Sequence, residues 1–95
     1  MNIKWNEEKN VWLEKNRGLT FEVFAEKILR NEIIDRIVHP NKDKYPNQLI
    51  FIIEIDGYCY AVPHVKTETG IFLKTVIPDR RMTKKYLGVK DENDR

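Results

Sequence analysis

Near the end of the chain Arg80, Arg81, Lys84 and Lys85 stand within one and a half helical turns of each other, and Lys74 precedes them by six residues. The only anion between Lys74 and Lys85 is Asp79. A cluster of this kind suits a repeated anion, of which a nucleic-acid phosphate is the natural example. Arg80 is the first choice for the clamp, because its planar fork matches two phosphate oxygens and it follows the end of a strand. Lys74 supplies a point charge from within a strand, where a lysine also serves to guard a sheet edge. For acid–base work the chain offers His64, whose neutral imidazole is suited to accept or give a proton near pH 7, and Glu54, which needs a neighbouring cation to act. Each residue also has a structural reading. The cations can form a solvated helix face, with Arg81, Lys84 and Lys85 only positioning phosphate, and His64 can be a hydrogen-bonded strand histidine. Glu54 can bridge across a sheet, and Tyr86 can pack with Met82 rather than stack on a base.

These groups are placed by a readable pattern of elements. Asn2 to Trp5 forms a short strand, and Asn6 caps a helix from Glu7 to about Arg17 whose packing depends on Trp12 and which stops at Gly18. Thr20 caps a second helix carrying Phe21, Phe24, Ala25, Ile28 and Leu29 as one buried stripe. Strands follow at Ile33–Val38, Leu49–Ile55, Tyr58–Lys66 and Ile71–Ile77. Asp56-Gly57 forms a tight type I′ turn, which sets Ile55 opposite Tyr58 and Leu49 opposite His64. Lys66 opposite Ile71 then sets His64 beside Leu73 and Val62 beside Thr75. Ile50, Ile52, Glu54, Cys59, Ala61, Pro63, Phe72, Lys74 and Val76 share the other face. Tyr58 and Tyr60 read as core. Asp79 caps a basic helix that Gly88 ends.

The expected architecture is α+β: two N-terminal helices on a small antiparallel meander, with a basic C-terminal helix, in one domain over residues 1–89 and a polar, disordered tail at 90–95. At 95 residues, 41% hydrophobic and 34% charged, the chain has room for one modest core. Its net charge is only +2, so the local cluster carries the nucleic-acid signal rather than the total. A lone Cys59 excludes an internal disulfide and suits a reducing compartment. Neither a signal-peptide h-region nor an apolar run longer than Leu49–Ile53 is present, so a cytoplasmic location without membrane contact is expected. Two histidines and one cysteine without close carboxylates make no zinc set, and four glycines make no phosphate loop, so no metal or other cofactor is expected.

The whole order resembles the BrnT-type toxins, relatives of the RelE and ParE group in bacterial type II toxin–antitoxin modules. The matching residues are Trp5-Asn6 with Lys9, the turn Lys15-Asn16-Arg17-Gly18-Leu19-Thr20-Phe21-Glu22, and Ile77-Pro78-Asp79-Arg80-Arg81-Met82-Thr83. In the family these places read W-D-x-x-K, K-H-G-V-S-F-E-E-A and I-S-A-R-R-A-T. Asn16-Arg17-Gly18 is one residue longer than the family's His-Gly, Pro78 stands where a small residue is usual, and the loop Pro40 to Gln48 has its own wording. The resemblance implies metal-independent endoribonuclease activity that inhibits translation, on RNA or ribosome-associated mRNA, and neutralisation by a cognate antitoxin. Arg80, Lys74, His64 and Glu54 are then the catalytic candidates, and Arg81, Lys84, Lys85 and Tyr86 the RNA-binding ones. Two other functions fit the same basic helix: a non-catalytic nucleic-acid or ribosome-binding module, and a protein-binding domain for an acidic segment.

Overall fold

A computed structural model of the chain describes residues 1–88. The expected tail at 90–95, with residue 89, lies outside the described residues. Among the described residues the fold is α+β, with three helices and a six-stranded, mostly antiparallel sheet. In chain order the elements are β1 (Asn2–Lys4), α1 (Glu7–Arg17), α2 (Phe21–Leu29), β2 (Asp35–Val38), β3 (Leu49–Ile55), β4 (Tyr58–Lys66), β5 (Gly70–Leu73), β6 (Ile77–Pro78) and α3 (Arg80–Leu87). The sheet runs β1-β5-β4-β3-β2, with β6 added to β4 beyond the end of β5. Among the described strands only β1, parallel to β5, departs from antiparallel pairing.

The β3–β4 hairpin is the centre of the sheet. Its seven pairs run from Leu49 opposite His64 to Ile55 opposite Tyr58, the expected register. Asp56 and Gly57 both have positive φ, 52° and 82°, as a type I′ turn requires. Glu54 accepts the Gly57 N–H at 2.7 Å and fastens the turn. One face of the hairpin carries Ile53, Ile55 and Val62, which cluster with Leu13, Phe21, Phe24 and Ile28 of the first two helices and with Ile71, Leu73 and Val76. The other face carries Ile50, Ile52, Cys59 and Ala61, against which Met82, Tyr86 and Leu87 of α3 are packed. Both sides of this small sheet are therefore covered where the hairpin turns.

Several expectations are corrected. Trp12 is 54% exposed, and Leu13 at 3% takes the core position of α1. Leu29 is 62% exposed and lies outside the stripe that Phe21, Phe24, Ala25 and Ile28 do form. Thr20 makes no side-chain cap bond. Its place is taken by Asn10, buried on α1, whose Oδ1 accepts the Phe21 N–H at 2.8 Å while its Nδ2 donates to Glu22 at 2.6 Å. Tyr58 and Tyr60 are half-buried at the rim of the core rather than inside it.

The largest correction concerns Ile71–Ile77, which is two strands rather than one. The pairing of β4 with β5 continues as expected from Lys66–Ile71 to His64–Leu73. Lys74 still donates its N–H to the Pro63 carbonyl at 2.8 Å. Proline has no N–H to return, so the exchange that would hold the Lys74 carbonyl fails and the ladder stops. The chain re-enters at Ile77, opposite Ala61, with Pro78 opposite Tyr60. An unbroken ladder would set Ile77 opposite Tyr60, so the register has slipped by one residue. A one-residue slip exchanges the faces, and Val76 accordingly joins the cluster under α1 and α2 instead of the opposite face.

At the other edge β1 lies so close to β5 that a Cβ on Gly70 would stand 1.8 Å from the Asn2 carbonyl oxygen. Gly70→Ala should therefore force β1 away from the sheet and lower stability by about 1–3 kcal/mol. Equilibrium denaturation with urea checks this, and an unchanged midpoint would mean that β1 contributes nothing at that contact.

Candidate nucleic-acid interface

The broken ladder builds a site. The Lys74 carbonyl, left without a donor from Pro63, accepts the Lys9 ammonium at 3.1 Å. Lys9 comes from the first turn of α1, whose start is fixed by Asn6 Oδ1 accepting the Lys9 N–H at 3.1 Å. Two lysines from opposite ends of the chain are thereby held at one point on the sheet. Lys74 itself extends along Phe72, its Nζ 5.5 Å from the ring centroid, which confines the flexible stem and leaves the charge at the end.

Across from these lysines stands the loop between β2 and β3. His39 continues the β2–β3 pairing by donating its N–H to the Gln48 carbonyl at 3.1 Å. Pro40 follows and turns the chain out of the strand. Asn41 closes a helical turn by accepting the Lys44 N–H on its side chain and the Tyr45 N–H on its carbonyl, at 3.1 and 2.9 Å. This turn lays the Tyr45 ring on His39 with centroids 4.4 Å apart. The Asn41 N–H donates to His39 Nδ1 at 3.1 Å, so Nδ1 is the unprotonated nitrogen and Nε2–H is the donor that remains.

Lys9, Lys74, Thr75, His39, Tyr45 and Gln48 line a common groove of about 390 Å³ floored by Pro63 and Ile77. No carboxylate is among the described residues lining it. Pro63 is on the same sheet face as Ala61, two residues away and roughly 7 Å along the strand, and Ala61 lies under α3. The groove and α3 therefore occupy adjoining parts of one face. Ile77, on the groove floor, is three residues before Arg80.

The basic helix is tightly tied. Asp79 accepts the Met82 N–H at 3.0 Å, and Gly88 ends the helix at φ 63°. Buried Thr83 faces the sheet and spans a gap in the ladder: its Oγ1 accepts the Cys59 N–H at 2.9 Å and donates to the Asp79 carbonyl at 2.8 Å. With Thr83 and Met82 turned inward, Arg80, Arg81, Lys84 and Lys85 are all exposed. Tyr86 is not held out for stacking. Its hydroxyl donates to Asp35 on β2, which raises the Tyr86 pKa and holds that of Asp35 below the usual carboxylate range. Lys85 lies over the Tyr86 ring at 5.0 Å.

Of the residues chosen from sequence, Lys74 lies in the groove and Arg80, Arg81, Lys84 and Lys85 on the adjoining helix. His64 and Glu54 lie in neither place. They are five pairs apart along the hairpin and on opposite faces, roughly 17 Å along the strand direction. No single phosphodiester can lie between them. Glu54 is engaged by the Gly57 N–H. His64 is 2% exposed, donates from Nδ1 to the Val62 carbonyl at 3.0 Å, and stacks on Phe51 at 3.9 Å. Burial pushes its pKa down, outweighing the carbonyl that favours the charged ring, and the Lys66 charge lowers it further. Lys9, His39, Tyr45 and Gln48 were missed as site residues, although Lys9 belongs to the opening motif and His39 stands directly before Pro40.

Among the described residues no three His, Cys, Asp or Glu side chains are grouped to hold a metal ion, and no helix is long and apolar enough to cross a membrane. Comparison of the chain with family models, with curated proteins and with solved structures finds no match.

His64 makes stability depend on pH with a definite sign. Its folded pKa is below the unfolded value near 6.5, so the unfolded chain binds the proton more readily and protonation favours unfolding. The stability that neutral His64 contributes is complete above about pH 6.5 and is lost as the pH falls toward the folded value. The urea midpoint should fall between about pH 7.5 and 5.5, and less so in His64→Phe, which keeps the stack on Phe51. Identical pH dependence in the two proteins would place the titrating group elsewhere.

Proposed function

We propose that the chain is the toxin of a type II toxin–antitoxin module of the BrnT kind, an endoribonuclease that inhibits translation and is neutralised by a cognate antitoxin. One observation carries the reading: Lys9, Lys74, His39 and Tyr45 converge on a groove without a lining carboxylate, beside the exposed cations of α3. Further support comes from the order of short strand, two helices, meander and basic helix, which is the RelE- and BrnT-like order that the sequence resemblance implies.

In this reading an RNA strand runs along α3, where Arg80, Arg81, Lys84 and Lys85 meet successive phosphates, and one phosphate enters the groove. The 2′-oxygen attacks phosphorus and the bond to the 5′-oxygen breaks, leaving a 2′,3′-cyclic phosphate and a 5′-hydroxyl. Lys9 and Lys74 stabilise the additional negative charge of the phosphorane, and His39 Nε2–H donates to a non-bridging oxygen. A lysine ammonium can hand its proton to the departing 5′-oxygen. The proton of the 2′-hydroxyl leaves to solvent.

A second reading, a nucleic-acid-binding module without catalysis, draws on one feature of the same groove. His39 Nδ1 is already occupied by the Asn41 N–H and no carboxylate lines the walls, so the described residues present charge and donors but no evident general base. Incubation of the purified chain with RNA in EDTA separates the two. Cleavage that falls by about 100-fold or more in Lys74→Ala and Arg80→Ala is the expected outcome. Salt-sensitive binding with intact RNA would establish the second reading instead, and neither cleavage nor binding would remove both.

A further inference from the structure

A second groove adjoins the first. It measures about 220 Å³ and is lined by Trp12, Leu13, Phe21 and Val76, with Lys9 and Thr75 as the wall it shares with the lysine groove. Its floor is apolar and firm: Phe21, Leu13 and Val76 are 2%, 3% and 6% exposed. Its side is an indole that the core does not use. Lys9, Trp12 and Leu13 are three and four residues apart and so lie along one side of α1. Leu13 enters the core, whereas Trp12 remains 54% exposed with the Arg17 guanidinium 5.8 Å from its ring centroid. The other indole behaves differently. Trp5 is half-buried, stacked on Phe21 at 5.9 Å and hydrogen-bonded to Glu7.

An exposed tryptophan beside an apolar floor, one wall away from two lysines, repeats the alternation of a single nucleic-acid strand, in which flat apolar rings alternate with anionic phosphates. Charge complementarity favours that occupant over a neutral apolar ligand, because the described residues lining the two grooves include cations and no anion. Glu8, one turn before Trp12, lines neither groove. We infer that Trp12 is the stacking platform for a base of single-stranded RNA whose adjacent phosphate is held by Lys9 and Lys74, an inference that rests on the RNA-directed reading of the lysine groove. A duplex, whose bases are already stacked, cannot use it. The site thus makes the chain select unpaired RNA at the nucleotide beside the bound phosphate.

The test is fluorescence anisotropy of a labelled, 2′-O-methylated oligouridylate, which cannot be cleaved at the 2′-oxygen, alongside a sugar-phosphate oligomer of equal length lacking bases. Trp12→Ala should weaken the oligouridylate by about tenfold or more and Trp12→Phe by much less, with the abasic oligomer unaffected by either. Lys74→Ala should weaken both oligomers. Trp12 is exposed, so these variants should keep the wild-type urea midpoint, which verifies that they fold. If Trp12→Ala binds the oligouridylate as wild type does while Lys74→Ala does not, the platform is overturned and the RNA reading stands. If the wild type binds neither oligomer, the RNA reading falls and takes the platform with it. Equal competition by an acidic peptide of the same charge would show that the grooves sense charge alone, which also overturns the inference.

Discussion

A proline in the middle of a central strand is an unusual demand on a sheet, and most of what distinguishes this structure descends from it. Pro63 sits in β4 between two partners. Toward β3 it costs nothing, because the two-residue turn places the hydrogen-bonded pairs at Leu49, Phe51, Ile53 and Ile55, so position 63 faces β5 with its missing donor. There the ladder receives one bond from Lys74 and cannot return it. The sheet answers in two ways. The orphaned carbonyl takes the Lys9 ammonium, which draws α1 to the sheet edge, and the chain slips one residue before pairing resumes at Ala61. The slip turns Val76 into the core and sets the lead-in to α3.

The second anchoring point lies at the far end of β6 and uses a side chain as a piece of backbone. Asp79 donates its N–H to the Cys59 carbonyl, as a strand residue would. The reciprocal bond is replaced by Thr83, whose hydroxyl sits between the Cys59 N–H and the Asp79 carbonyl. A valine of similar shape would leave a buried N–H unsatisfied, a loss of about 1–3 kcal/mol in a domain of modest stability. The helix is thus held by a satisfied hydrogen bond at its start and by Tyr86 on Asp35 near its end. Thr83, Met82 and Tyr86 pack the helix against the sheet, and Arg80, Arg81, Lys84 and Lys85 lie on its exposed side.

Much of the fold was legible in the sequence, and the reasons for success and failure are local. The caps at Asn6 and Asp79, the stops at Gly18 and Gly88, and the Asp56-Gly57 turn act within a few residues, and all behave as their chemistry requires. The expected β4–β5 register holds for as long as backbone donors are present. What was not legible depends on distant partners. Asn10 replaces Thr20 as a cap only because α1 and α2 fold back on one another. Trp12 and Leu13 are neighbours of similar apolar character, and only tertiary packing decides which is buried. The missing donor of Pro63 was visible, but reading its effect requires knowing which strand that position faces. His64 and Glu54 attracted attention by residue type, whereas Lys9 and His39 came together through a gap in the ladder and a loop.

Cys59 acquires a meaning beyond packing from its place beneath α3. It is 0% exposed, its thiol pKa is raised by burial against the opposing Thr83 hydrogen bond, and Met82, Tyr86 and Leu87 pack on the cluster to which it belongs. A thiol so placed reacts with a solution reagent only when the helix lifts away from the sheet. Its labelling rate therefore counts helix openings, one molecule at a time, in a chain with a single cysteine. The basic surface and its attachment to the sheet are thus separable quantities: charge governs how tightly an anion is held, and the Thr83 and Tyr86 hydrogen bonds govern how long the surface that holds it persists.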